Sequence, residues 1–199
     1  PKLFSNVTAI SSRYRFLTDV GLEESETQLG TTTTQSFQLS YLSQIEDMGI
    51  KWDFDYRPSP NHSIKFGSGL TRHQFEPGVN SIVMNLGGAG TLDTSFGSFP
   101  QTAMDYVAYV QDDWKLGDRL RINMGLHLNG FNVGESNYLS LQPRLSARYL
   151  LNEKSSIKWS YVEMTQYMHL LANQTIGLPT DLWVPVTENI LPQEAWQTA

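Results

Sequence analysis

The sequence contains no cysteine and little charge. With 0 Cys among 199 residues, disulfide frameworks, thiolate metal sites and cysteine nucleophiles are excluded. Charged residues make up 17% of the chain, against about 25% in ordinary soluble domains. The net charge is -6, and no run of Lys or Arg occurs, so the clustered basic surface that nucleic acid requires is missing. We therefore expect no nucleic-acid partner.

Long apolar runs are also missing. The longest spans Tyr106 to Val110, whereas a spanning helix needs about 20 apolar residues, so no membrane helix is expected. Pro1 opens on a strand-like segment without the apolar core of a signal peptide, and we interpret the chain as one that starts within a larger protein. What the sequence does contain is 12% aromatic residues and 15 glycines spread along its length.

Several segments of about ten residues alternate apolar and polar side chains, as half-buried strands do. The most regular is Leu120 to Asn129, where every second residue is Leu, Ile or Met. Over Met104 to Trp114 two sets compete for the apolar face, and the longer run favours the set that contains Tyr106 and Val110. Pro143 lies inside another alternating segment, which predicts a bulge or an edge there because proline cannot donate to a ladder.

The connections between these segments are alternately short and long. Seven strands are predicted, from Leu3 onward, with an eighth starting near Glu194. Short turns are predicted at 57–61, 115–119 and 151–155, and long connections at 17–36, 76–101, 130–138 and 169–193. Bacterial outer-membrane barrels show this asymmetry, with short periplasmic turns and longer extracellular loops. Aromatic residues near the short turns on the apolar face, which are Tyr56, Trp114, Tyr149 and Trp159, are typical of an interfacial girdle.

The sequence therefore predicts an all-β fold, a segment of an antiparallel transmembrane β-barrel with about seven to eight strands. Residues 1–199 are interpreted as part of one outer-membrane barrel domain. Open strand edges are costly in lipid, so other strands are expected to complete the barrel. A soluble β-sandwich, such as a carbohydrate-binding module, has the same alternation because its strands also have one apolar and one wet face. It stays an alternative.

Five stretches resemble the barrel region of TonB-dependent receptors of the Bacteroidota type. They are SQIEDMGIKWDFDYRPSPNHSIKFG (43–67), YVAYVQDDWKLGDRLRINMGL (106–126), LQPRLSARYLL (141–151), SSIKWSYVEMTQYMHLLAN (155–173) and LPTDLWVPVTENILPQEAWQ (178–197). The resemblance implies a complete barrel of about 22 strands with a plugged lumen, the plug and the remaining strands lying outside this chain. It also implies the outer membrane of a Gram-negative cell, contact with outer-membrane lipid, and energy from the TonB complex.

The function that the resemblance implies is import of a nutrient, such as a glycan, a peptide or a siderophore, and a surface lipoprotein is a further candidate partner. A structural or adhesin role, or a place in an envelope complex, is the alternative function. Arg121, His127, Arg144, Arg148 and Lys158 lie on predicted lumen-facing positions. The four cationic residues of this set could pair with the plug, which is the favoured interpretation, or attract an anionic solute, whereas His127 is interpreted as a polar group of the lumen.

Two residues of the predicted extracellular loop, Trp183 and His169, are candidates for contact with a sugar or a surface partner, and packing of the loop is an equal alternative. No catalytic pair is expected, because the adjacent acids Asp112 and Asp113 point to opposite faces of a strand. The four histidines, His62, His73, His127 and His169, lack ligand spacing. We expect no metal, no cofactor and no enzymatic activity.

Overall fold

The computed structural model describes residues 2–86, 90–97, 99–173 and 180–199. In this part of the chain, no helix is long and apolar enough to cross a bilayer. The strands are β1 (Leu3–Gln28), β2 (Thr31–Ser59), β3 (His62–Asn85), β4 (Thr91–Gly97), β5 (Gln101–Leu116), β6 (Leu120–Val133), β7 (Ser136–Asn152), β8 (Ser155–Gln166), β9 (Met168–Asn173), β10 (Thr180–Pro185) and β11 (Gln193–Thr198).

Nine of these strands form one curled antiparallel sheet, in the order β1-β2-β3-β5-β6-β7-β8-β11, with β4 attached to β3. Strands that follow each other in sequence mostly lie side by side, as in an up-and-down barrel wall. The remaining two, β9 and β10, form a separate hairpin. The all-β antiparallel prediction is confirmed, and so is the strand predicted near Glu194, because β11 pairs with β8.

The predicted short turns are also confirmed. β2 and β3 are joined through Pro60–Asn61, β5 and β6 through 117–119, and β7 and β8 through 153–154. All three lie at the same end of the sheet, which we call the proximal end. The other end, where the longer connections lie, is the distal end.

The prediction of long loops at the distal end is wrong for much of these segments, because the strands continue through them. β1 and β2 pair without interruption from Leu3 to Gln28, and only Leu29 and Gly30 turn the chain, with φ of 49° and 81°. Two consecutive residues with positive φ make a tight hairpin turn. The following Thr31–Thr34 run is β-branched and therefore favours a strand.

The other long connections are shorter or more ordered than predicted. β6 and β7 are separated only by Gly134 and Glu135, where Gly134 has a φ of 56°. Most of the described part of 169–193 belongs to the β9–β10 hairpin. Over 76–101, β3 continues to Asn85 and pairs there with β4. These strands escaped prediction because their alternating runs are brief and are flanked by Gly, Ser and Thr.

A bulge divides the long hairpins into two parts. The register between β2 and β3 shifts between Leu42 and Gln44, opposite Pro77 and Gly78, and Gly78 has a φ of 71°. Proline cannot donate to the ladder, so the bulge accommodates it. Beyond the bulge lies a four-stranded extension formed by 17–28, 31–42, 79–85 and 91–97, which we call the distal sheet.

Below the bulge, the sheet has an apolar and a polar face. On the apolar face the rings of Phe54 and Phe66 stack with centroids 4.9 Å apart. The same row continues through Val110, which is 49% exposed, to Leu126, which is 42% exposed. Tyr106 also lies on this face and Tyr109 on the other, which confirms the favoured assignment of β5. Large apolar side chains exposed in a continuous band are what lipid covers.

Pro143 lies at a position in β7 where the missing backbone N–H costs little hydrogen bonding. It pairs with Leu126 on the β6 side, while the ladder to β8 ends one residue away, at Arg144 opposite Val162. The proline therefore sits at a local edge of the β7–β8 ladder, one of the two predicted settings.

The small buried core lies on the polar-face side, toward the distal end. Its apolar residues are Ile45, Phe75, Ala103, Phe131, Val133, Tyr167 and Val186. Met168 and Trp183 of the β9–β10 hairpin pack against this cluster. The hairpin therefore folds across the polar face and covers part of it.

Candidate functional site: the polar face

The predicted basic residues form a cross-strand row at the proximal end of the polar face. Arg121 of β6 pairs with Arg148 of β7, and Arg148 pairs with Lys158 of β8. On the other side Arg121 pairs with Lys115 of β5. Neighbouring strands lie about 4.8 Å apart, so four cations stand side by side in what we call the cation row.

Among the described residues, the carboxylate of Asp113 lies beside the cation row. Asp113 receives two hydrogen bonds from Arg121, from Nε to Oδ1 at 2.6 Å and from Nη2 to Oδ2 at 2.7 Å. An open groove of about 470 Å³ lies beside them, lined among others by Arg148 and Lys158. A single carboxylate does not neutralise four cations, so the groove stays strongly cationic. Like charges directly opposite each other destabilise a sheet. The row can hold further carboxylates or another anionic group.

Arg144 lies apart from the cation row. It pairs with Gly125, two same-face positions farther from the proximal turns than Arg148. The geometry thus brings together Arg121, Arg148 and Lys158 from the predicted set and places Arg144 nearer the middle of the strand.

His127 belongs to a second group, which crosses four strands. Its ring stacks on Tyr109 with centroids 5.1 Å apart. The Tyr109 hydroxyl reaches over β3 at Gly67 and donates to Asp53 Oδ1 at 2.7 Å. A Cβ at Gly67 would lie 2.8 Å from the Tyr109 ring, so only glycine allows this crossing. The group ties β2, β5 and β6 together across β3.

A third polar group lies under the β9–β10 hairpin. Tyr167 stacks on Phe131 with ring centroids 5.1 Å apart, and its hydroxyl donates to Ser140 Oγ at 2.8 Å. Burial raises the pKa of the Tyr167 phenol above its usual value. His73, only 5% exposed, also packs against Phe131 and binds Asp47 Oδ1 through Nδ1 at 2.7 Å.

The two predicted loop residues are both packed. Trp183 is partly buried against the core cluster, and His169 is 7% exposed. No hydrogen-bond partner is found for either ring nitrogen of His169 in the described part of the chain. Contact of these residues with a surface partner stays a prediction.

The adjacent acids Asp112 and Asp113 have separate partners. His62 Nδ1 lies 2.6 Å from Asp112 Oδ2, and the His62 ring stacks on Trp114. This group lies on the apolar face near the proximal turns, opposite Asp113 and its partner Arg121. Among the described residues, no three His, Asp or Glu side chains converge as a metal site would require.

Sequence reasoning missed Lys115, Tyr109 and Asp53. Lys115 was assigned to a predicted turn, but β5 continues to Leu116. Tyr109 and Asp53 are separated by 56 positions, and only the register of three strands shows that they meet. A signal was available for Tyr109, because a large aromatic residue near a strand glycine is a common cross-strand pair.

A curled antiparallel sheet with an exposed apolar band, a polar inner face and short turns at one end defines the wall of a membrane-type β-barrel. A family model described as TonB dependent receptor-like, beta-barrel, matches residues 3–171. The chain belongs to this family of TonB-dependent receptor barrels. No curated protein and no solved structure matches the chain.

Proposed function

We propose that this chain forms part of the barrel wall of an outer-membrane receptor that imports a nutrient with energy from the TonB complex. The family is one of outer-membrane transporters and is not an enzyme family. The observation that carries the proposal is the sheet with two faces, in which the exposed band suits lipid and the polar face suits a wet lumen.

The sheet is open, and this has a consequence for its partners. β1 and β11 each pair on one side within the described residues. An unpaired strand edge in lipid costs several kcal/mol per backbone group, so we infer that further strands of the receptor complete the barrel. Its plug domain and the TonB complex are the partners that the family implies in general.

The charge of the cation row suggests where the plug binds this part of the barrel wall. Among the described residues, Asp113 binds one of the four cations, Arg121, and the groove beside them is open. Carboxylates of a plug domain would neutralise the row through charge-assisted hydrogen bonds. We therefore propose the cation row as the surface that holds acidic residues of the plug at the proximal end.

Two arginine substitutions on one strand test the membrane assignment. Leu126 lies on the apolar face and Asn129 on the polar face of β6. An arginine on the lipid side near mid-membrane costs about 2–4 kcal/mol, so Leu126→Arg should reduce the amount of folded receptor in the outer membrane. Asn129→Arg should have little effect. Equal behaviour of both variants, or a receptor that is soluble without detergent, would contradict the proposal and favour a soluble sandwich.

Import is tested in the native host. Deletion of the gene should abolish growth on at least one nutrient in a panel of glycans, peptides and iron chelates, and inactivation of TonB should abolish growth on the same nutrient. If deletion changes surface adhesion or envelope integrity while uptake of the whole panel is unaffected, the adhesin or envelope-complex alternative replaces import.

A further inference from the structure

The distal sheet has one apolar face. A row across its four strands consists of Leu22, Phe37, Met84 and Leu92. The next row toward the barrel includes Leu39 and Ile82. We call this face the apolar wall. Leu22 is 68% exposed and Leu92 is 49% exposed, so the wall is only partly covered by the described residues.

The apolar wall lies beyond the membrane-spanning part of the strands, so lipid does not cover it. β2 has 29 residues, whereas a strand crosses a membrane in about 9–11, and the distal sheet lies at the end beyond that length. The uninterrupted pairing of β1 with β2 also shows that the wall continues the polar face, which carries Ile45 and Asp47. The wall therefore lies at the distal opening of the lumen and faces away from lipid.

The edge of the distal sheet is open. β4 pairs with β3, and no other strand in the described part of the chain pairs with it. An exposed strand edge can accept an extended peptide through main-chain hydrogen bonds. Such a peptide would place alternate side chains on the two faces of the sheet, one set beside Leu92 and the other beside Asp93.

Charge restricts the peptide further. The distal segments 17–45, 74–104, 131–139 and 166–193 contain no Lys or Arg at all. Their acids include Glu23, Glu24, Asp93 and Glu135. A purely acidic region attracts cations and repels a second copy of itself, so the side chains that lie beside Asp93 should be basic.

We propose that the apolar wall and the β4 edge bind an extended peptide in which apolar residues alternate with Lys or Arg. The proposal rests on the import function above and names the solute class. Leu92 of β4 complements the apolar side chains of a peptide on this edge, whereas the hydroxyls of a sugar would lose hydrogen bonds against it.

The test uses the full-length receptor, purified in a neutral detergent, and a fluorescent ten-residue peptide of alternating Leu and Lys. Binding is measured by fluorescence anisotropy, with empty micelles as the blank. The Leu-Lys peptide should bind, and binding should weaken as salt is raised. Peptides of alternating Leu-Glu or Ser-Lys should bind at least about tenfold more weakly, because each lacks one of the two complementary properties.

Matched substitutions locate the site. Leu92→Ser should weaken binding about tenfold, since burying a leucine is worth that much or more, whereas Leu29→Ser, at the β1–β2 turn, should not. Asp93→Asn should weaken binding a few-fold at low salt, as expected for a partly exposed ion pair. Glu135→Gln, in the β6–β7 turn, should not.

The outcomes separate this inference from the proposed function. Absence of binding, equal binding of the Leu-Glu or Ser-Lys peptide, or unchanged affinity in Leu92→Ser would overturn the peptide site. If one of these results is found while the receptor still resides in the outer membrane and imports another nutrient, only the peptide inference fails. If the receptor is not in the outer membrane, the proposed function fails as well.

Discussion

Gly67 offers the sharpest test of the polar face, because a single methyl group there would meet three atoms at once. A Cβ would lie 2.7 Å from the Trp52 carbonyl oxygen, 2.8 Å from Tyr109 Cε1 and 2.9 Å from Asp53 Oδ1. The first of these atoms is backbone within the β2–β3 ladder and cannot move without breaking register. Gly67→Ala must therefore displace the Tyr109 ring, the Asp53 carboxylate or the strand itself.

The magnitude follows from two contributions. Overpacking costs about 1–3 kcal/mol, and the Tyr109–Asp53 hydrogen bond, which has a charged acceptor, contributes about 1.5–3 kcal/mol where it is shielded from water. Tyr109 and Asp53 are both partly buried, so the lower end of the second range applies. We expect Gly67→Ala to reduce the free energy of unfolding by about 2.5–4.5 kcal/mol.

Urea unfolding of the full-length receptor in lipid vesicles measures this free energy, followed by tryptophan fluorescence. Gly130→Ala is the matched control, because a Cβ at Gly130 would meet nothing closer than 3.7 Å. Tyr109→Phe separates the two contributions, since it removes the hydrogen bond and leaves the ring. A Gly67→Ala receptor within about 0.5 kcal/mol of the native one, or no more affected than Gly130→Ala, would refute the cross-strand packing described here.

Three further substitutions test the other groups. Asp113→Asn removes the carboxylate bound by Arg121, so the receptor should lose a small amount of stability at low salt, and urea unfolding at high salt should show a smaller loss. Phe131→Ala should cost about 3–5 kcal/mol, because Phe131 is fully buried, and limited proteolysis should then cut the β9–β10 hairpin. Tyr167→Phe loses the bond to Ser140 but keeps the ring stack, so its thermal unfolding should reveal a loss of about 1 kcal/mol and no new cleavage.

The barrel wall could be predicted because lipid imposes a strict pattern. A strand that crosses a bilayer places apolar residues at every second position within the hydrocarbon region, and Leu120 to Leu128 does so without exception. The short turns were visible for a similar reason, since Pro60–Asn61 and Gly117 interrupt that pattern abruptly. Each of these signals is local in sequence.

The distal sheet carried a weaker signal. Phe37 and Leu39 alternate with polar residues, as do Val20 and Leu22, but these runs are short and lie among Thr, Ser and Glu. Residues outside the membrane need not be apolar on every second position, so nothing forces a longer pattern. The cation row was only partly predicted because it depends on register, which placed Lys115 beside Arg121 where sequence had assigned a turn.

The distal segments contain acids and no Lys or Arg, whereas the cation row lies at the proximal end, and this links the two proposals. A cationic peptide bound at the β4 edge would meet the cation row when it passes through the lumen. Carboxylates of a plug would neutralise that row, and their withdrawal would expose it. A plug that moves as a whole would therefore oppose the passage of its own solute. If the plug binds the cation row as proposed, passage of such a solute is expected only when acidic plug residues remain on Arg148 and Lys158 while another part of the plug opens.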